Sequence, residues 1–286
     1  MRTTSRSVRR LRRSLNPIRL GGAIFILLIV AVTLLVPVLA VPDPLAQDIA
    51  NRLQPIGYPG HLFGTDRFGR DMLSRLLFGA RIELVVALGA TAVALVLGVT
   101  LGMLGGFIGA FVETLTMRTV DVILAFPPIV LALLIVTIYG PGVSTLIITM
   151  GILFSPRFAR LTYGQVVTVK HLEYVEAARV FGNSPLRTML AVVLPNVSAP
   201  IIVQLPLTLA TSILLESGLS YLGLGVVPPT PSWGLMVADG QRDMIANPSL
   251  VALPSAVIVA TILAFGLLGD ILRDWLDPRR GMASNL

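Results

Sequence analysis

The sequence contains no cysteine, one lysine and only two histidines in 286 residues. Without cysteine there is no disulfide and no thiolate metal site. The single lysine, Lys170, is followed by His171 and has no glycine-rich loop before it, so the GxxxxGK[ST] phosphate cradle is absent and the chain cannot hold ATP that way. Neither HExxH nor GxSxG occurs, which removes the zinc-protease and nucleophile-elbow patterns. Charge is scarce as well. Only 13% of residues are charged against 55% apolar, and the mean hydropathy is +0.85, which marks an integral membrane protein.

What is present in quantity is long apolar sequence. Six runs stand out, at 20–41, 83–109, 120–139, 142–156, 198–219 and 249–269, most of them near the ~20 helical residues that cross a bilayer. They contain Gly and Pro and do not alternate, so the expected class is all-α and not an outer-membrane barrel. The first run follows the basic stretch MRTTSRSVRRLRR and ends near Val38-Leu39-Ala40, a pattern shared with signal peptides. It exceeds the usual ~7–15-residue apolar region of such a signal, and a retained span is expected.

The pI of about 10.7 comes from basic residues that cluster on one side of the expected topology. With the N-terminus inside, Arg2 to Arg19, Arg118, Arg157, Arg160, Lys170, Arg179, Arg187, Arg273, Arg279 and Arg280 fall in the cytoplasm, and both termini are expected there. The outer arginines are largely offset by aspartates. The basic tail has no interleaved aromatics, so it fits a topology signal touching anionic lipid and no nucleic-acid site. His61 and His171 fall on opposite sides in this topology and cannot share a metal or a dyad. Glu83, Asp121, Glu216 and Asp270 sit near the expected span ends, leaving few groups at depth for ion coupling. Energy is therefore expected from another subunit.

The inner segment YVEAARVFGNSPLRTMLAVVLP, residues 174–195, is polar by comparison. Tyr174, Ala177, Ala178 and Phe181 fall on one helical face, Gly182 occupies a helix-stop position, and Ser184-Pro185 supplies a new N-cap and first turn. Leu186, Met189, Leu190, Val193 and Leu194 continue a helical stripe that Pro195 is expected to end. Two short amphipathic helices with a glycine hinge result. The spacing fits a docking element and a corner packed on the chain's own helices equally.

Glu176-Ala177-Ala178, Gly182, Val192 and Leu194-Pro195 resemble the EAA signature of ATP-binding-cassette importer permeases, EAA-x3-G-x9-I-x-LP, with Val192 in place of Ile. The resemblance implies that this loop docks on a cytoplasmic ATPase, with Glu176, Ala177 and Gly182 carrying the contact and the turn. A second stretch, Gly64-Thr65-Asp66-x-x-Gly69-Arg70-Asp71, is similar to the hallmark of one subunit in the dipeptide/oligopeptide/nickel branch. Further similar stretches lie at 121–133, 214–234 and 268–279.

The family implies a six-helix type I importer permease fold. Its parts would be a basic tail (1–19), a first span (20–41), an outer loop (42–82), a permease core (83–270) containing the coupling loop (157–197), and a C-terminal tail (271–286). It also implies a homologous second permease, one or two ATP-binding subunits, an extracytoplasmic binding protein, no cofactor in this chain, and a bacterial inner membrane. Peptides are the expected substrates, with nickel chelates or other small solutes as the alternative. A self-contained secondary carrier or channel is the reading from another class. Phe126-Pro127-Pro128 is expected to kink or end the third span near the pathway. Glu216 could face the pore or play an interfacial role, and Trp233 could touch the delivery protein or anchor at the headgroups. The overlapping GxxxG spacings of Gly98, Gly102, Gly105, Gly106 and Gly109 would serve packing within the chain or pairing with the second permease.

Overall fold

The computed structural model describes residues 17–38 and 41–276. The basic stretch up to residue 16, the end of the cleavage-like Val38-Leu39-Ala40, and the C-terminal residues from 277 lie outside the described residues. Among the described residues the regular structure is helical. The helices are α1 (Pro17–Leu35), α2 (Met72–Ile108), α3 (Ala110–Leu124), α4 (Pro128–Tyr139), α5 (Val143–Val169), α6 (Glu173–Val180), α7 (Pro185–Tyr221), α8 (Trp233–Gln241) and α9 (Ser249–Leu276). Four of them, α1, α2, α7 and α9, are long and apolar enough to cross a membrane, or five spans if the bent pair α3–α4 counts as one.

Several boundaries differ from the sequence expectation for identifiable reasons. Residues 72–82, assigned to the outer loop, form the first turns of α2, because Asp71 caps the helix by accepting from Ser74 N at 2.7 Å. The third apolar run is broken by a 90° bend between α3 and α4, where Pro127 and Pro128 stop one helix and start the next. The fourth run extends to Val169, so residues 157–169 belong to α5 and not to a coupling loop. Pro156 does not end α5. It cannot donate to the Ile152 carbonyl, and Ser155 Oγ does so instead at 2.9 Å.

Pro195 likewise fails to stop its helix. A wide π-type turn at Thr188–Val193, with Leu194 N bonded to Met189 O, carries the chain past the proline into a helix that runs to Tyr221. Asn196 Nδ2 donates to Val192 O at 2.7 Å in the same stretch. The second short helix expected at 185–195 is thus the first part of α7.

The centre of the molecule is the parallel packing of α2 against α5. Gly98, Gly102 and Gly106 of α2 lie against Ser155, Phe158, Ala159, Thr162 and Val166 of α5, with no room for a Cβ. The glycine stripe therefore packs within the chain. Around it lies one apolar cluster that includes Val86, Ala90, Met150, Phe158, Val175 and Val193. A second cluster joins α1, the start of α2, the end of α7, α8 and α9. These two cores set the two ends of the bundle: a capped end, built from residues 41–71 and α8, and a hinge end, built from residues 170–187.

Candidate functional site

The hinge end carries the EAA residues. α6 stops in a glycine turn: Gly182 takes φ +83°, its N–H bonds Arg179 O at 3.0 Å, and Asn183 N bonds Ala178 O at 3.2 Å. Ser184 caps the next helix by accepting from Arg187 N, with Pro185 in its first turn. The expected amphipathic stripe is divided: Tyr174, Ala177, Phe181, Leu186 and Leu190 lie at the surface, while Met189 and Val193 are buried in the main core. Val180 and Phe181 are 85% and 87% exposed, Leu186 and Leu190 are more than half exposed, and Glu176, Ala177 and Pro195 also lie at the surface. Ala178 and Leu194 are half-buried. An apolar, protruding turn of this kind is an unpaired contact surface of the isolated chain.

The inward attachment of this segment was not evident in the sequence pattern. Val175 is fully buried in the main core. Lys170 Nζ donates to Gly106 O at 2.9 Å, capping the last turn of α2 with a cation. The Arg179 guanidinium lies 5.0 Å from the centroid of the Phe107 ring. The hinge segment is thus fastened to the end of α2, as well as continuing into α7. The lone lysine directly after an apolar helix was the one available signal.

At the capped end, the residues of the GTDRFGRD stretch turn inward. Gly64 (φ +75°) and Gly69 (φ +73°) press on the backbones of Gln54 and Asp48, where a side chain would collide. Thr65 Oγ1 bonds Asn51 O and accepts from Gln54 N. Asp66 accepts from Phe68 N and Arg70 N, and its other oxygen binds Arg70 Nε at 2.6 Å, with Arg75 Nε at 3.6 Å. Arg70 Nη2 reaches toward Asp239 of α8 at 3.7 Å. Asp71 caps α2 and contacts His61 Nδ1 at 2.9 Å. Nearby, the Asn51 amide donates to Asp48 and lowers its carboxyl below the usual aspartate range.

A cavity of about 10 Å³ lined by Asp66, Arg75, Asp239 and Asp243 has room for one water molecule. The six motif residues therefore form a buried charge network that ties the first loop to α2 and α8.

Beneath the cap, Glu83 of α2 and Glu216 of α7 are fully buried and in contact. Trp233 N donates to Glu83 Oε1 at 3.2 Å, and Ser220 Oγ donates to Glu216 Oε1 at 2.6 Å. The second oxygen of each carboxyl has no other protein partner. Burial removes Glu216 from any open pathway surface. Trp233 is 1% exposed and donates Nε1–H to Leu76 O at 2.9 Å. Both sequence expectations for Trp233, headgroup anchor and contact with a delivery protein, give way to a core role. Helix α8, which positions Trp233, was hidden by the prolines around it.

The bend between α3 and α4 leaves Phe126 and Pro127 exposed. Asp121, one turn before the bend, pairs with Arg160 of α5 at 2.8 Å. The exposed Phe126-Pro127 thus follows a helix end tied to α5, whereas Glu216 is fully buried.

Comparison with known proteins adds a common theme. Residues 98–282 match the family described as "Binding-protein-dependent transport system inner membrane component". The chain is 43% identical over 266 residues to the di/tripeptide transport system permease protein DppC of Pseudomonas aeruginosa, covering 91% of this chain and 88% of that one. It is 36% identical to the dipeptide transport system permease protein DppC of Haemophilus influenzae (90% and 89% covered) and to the glutathione transport system permease protein GsiD of Pectobacterium atrosepticum (92% and 87%). A solved structure of the MetNI methionine ABC transporter in an inward-facing conformation shares the fold, with a TM-score of 0.60 at 17% identity over 72% of this chain and 98% of that one.

Proposed function

The chain belongs to the family of binding-protein-dependent transport system inner membrane components, the permease subunits of ATP-binding-cassette importers, and on that premise we propose that it is one half of a peptide pathway. In this reading a homologous second permease forms the other half. An extracytoplasmic binding protein delivers di- or oligopeptides, glutathione included, and separate cytoplasmic ATP-binding subunits supply the energy. The chain itself is a transport subunit with no catalytic residue and no cofactor, and the membrane is a bacterial inner membrane.

Six spans follow if α1, α2, the bent pair α3–α4, α5, α7 and α9 each cross once, with both termini in the cytoplasm. The peptide assignment rests on what the relatives' names state.

The observation that carries the reading is the hinge. Tyr174, Val180, Phe181, Leu186 and Leu190 present apolar surface around the Gly182 turn, on a segment whose inner side is anchored through Val175. Glu176, Ala177, Ala178 and Gly182 would sit in the ATPase groove, with Leu194-Pro195 leading into α7. The buried network at the capped end fixes the outer loop in shape beside the binding-protein side. Replacing Phe181 with aspartate in the complete complex tests this. The ATP-binding subunits should be lost during purification while the permease pair stays folded. Full retention with unchanged uptake would defeat the docking reading.

A further inference from the structure

Arg157 stands at the middle of the bundle. Its neighbours Ser155 and Phe158 contact Gly98 of α2, and Gly98 lies near the centre of the stretch 84–108, which contains no charged residue. The level of Arg157 is therefore set by a helix that is apolar for the full depth of a bilayer. Yet the Arg157 side chain is exposed on the surface of the chain. An arginine at this depth facing lipid is strongly disfavoured, and such residues face a water-filled cavity or a partner group.

Its surroundings are specific. The guanidinium lies 5.3 Å from the centroid of the buried Phe154 ring, and Nη1 donates to Thr211 Oγ1 of α7 at 3.3 Å. No carboxylate among the described residues forms an ion pair with it. One turn on, Arg160 is neutralised by Asp121 beside the α3–α4 bend. Among the described residues Arg157 is thus oriented and has no ion-pair partner, whereas Arg160 is in a balanced pair. A planar guanidinium held by a ring and a hydroxyl suits the fork geometry of a carboxylate, and a cation with no resident counter-charge suits a group that must also leave.

We propose that Arg157 is a pathway subsite that receives the carboxylate of the passing peptide, with Thr211 and Phe154 setting the plane of its guanidinium. This rests on the peptide-importer reading above and adds to it the group by which the permease itself handles substrate.

The test uses the complete reconstituted importer, with its binding protein saturated by one tripeptide bearing either a free C-terminal carboxylate or a C-terminal amide. The permease variants compared are wild type, Arg157→Gln and Arg157→Lys. Arg157→Gln should lower transport of the free acid about tenfold or more, the loss that follows from removing one hydrogen bond to a charged group. It should change transport of the amide little, and Arg157→Lys should recover part of the loss. Equal losses for acid and amide, or no loss, would overturn the proposal in favour of a structural or subunit-contact role.

Because the chain lacks cysteine, Arg157→Cys offers a second readout. The introduced thiol should react with a charged, membrane-impermeant reagent, and the acid peptide should protect it. A thiol that fails to react would place the position outside the pathway and refute the subsite. If the wild-type complex moves neither peptide while the Arg157→Cys variant still reacts, the peptide reading fails and the proposal falls with it.

Discussion

Substituting alanine for Gly102 places a methyl group where α2 and α5 cross. That Cβ would lie 2.7 Å from Thr162 Cβ and 2.9 Å from Tyr163 N, with the Ala159 carbonyl closer still. Two of the three obstacles are backbone atoms of a helix held on several sides, so they cannot rotate away. Overpacking of this kind costs about 1–3 kcal/mol. Gly164, on the same α5, has no atom within 4 Å of the added position. Alanine there should gain about 0.5–1 kcal/mol from helix propensity and a less flexible unfolded chain. Thermal unfolding of the purified chain in one detergent should separate the two variants, Gly102→Ala below wild type and Gly164→Ala at or above it, at about 2–4 °C per kcal/mol. Equal shifts, or a stabilised Gly102→Ala, would refute the close crossing and with it the level assigned to Arg157.

Glu216→Gln supplies an amide N–H to Glu83 and keeps an acceptor for Ser220, so its melting temperature should stay close to wild type. Glu216→Ala leaves Ser220 and Glu83 without their partner and should cost about 3 kcal/mol or more, since each buried group left unsatisfied costs about 1–3 kcal/mol. Equal melting temperatures for the two variants would contradict the carboxyl pair. The attachment of the hinge to α2 gives a separate expectation. The double substitution Lys170→Ala, Arg179→Ala should leave the ATP-binding subunits bound but reduce substrate moved per ATP hydrolysed by about fivefold or more, the lower range of coupling between sites. Lys170→Arg alone should preserve coupling, because arginine can still donate to Gly106 O. An unchanged transport-to-hydrolysis ratio in the double variant would show that the contact carries no force.

The helices and the hinge were readable because their signals are local. Apolar runs of span length mark α1, α2, α7 and α9, and the order Gly182, Ser184, Pro185 encodes a stop and a restart within four residues. What escaped reading is non-local or compensated. Pro156 and Pro195 look like helix ends until Ser155 Oγ and the π-type turn absorb the missing N–H. That compensation lengthens α5 and moves Arg157 and Arg160 from a supposed cytoplasmic loop to the depth of the bundle. Glu83 and Glu216 lie far apart in the chain and meet only because α2, α7 and α8 converge. Trp233, among prolines and glycines, resembles a surface residue in sequence and packs in the core in structure. The charges of Asp66, Arg70 and Asp71 look solvated, yet they are consumed by one another and by the first turns of α2.

The most direct test of the transport assignment is uptake of labelled di- and tripeptides, glutathione and nickel by cells with and without this chain, each also after ATP depletion. Loss of an ATP-dependent peptide or glutathione uptake on deletion, restored by the intact chain and not by the Phe181→Asp variant, is the predicted result. Peptide uptake that persists without the chain, or that survives ATP depletion in its presence, would contradict it.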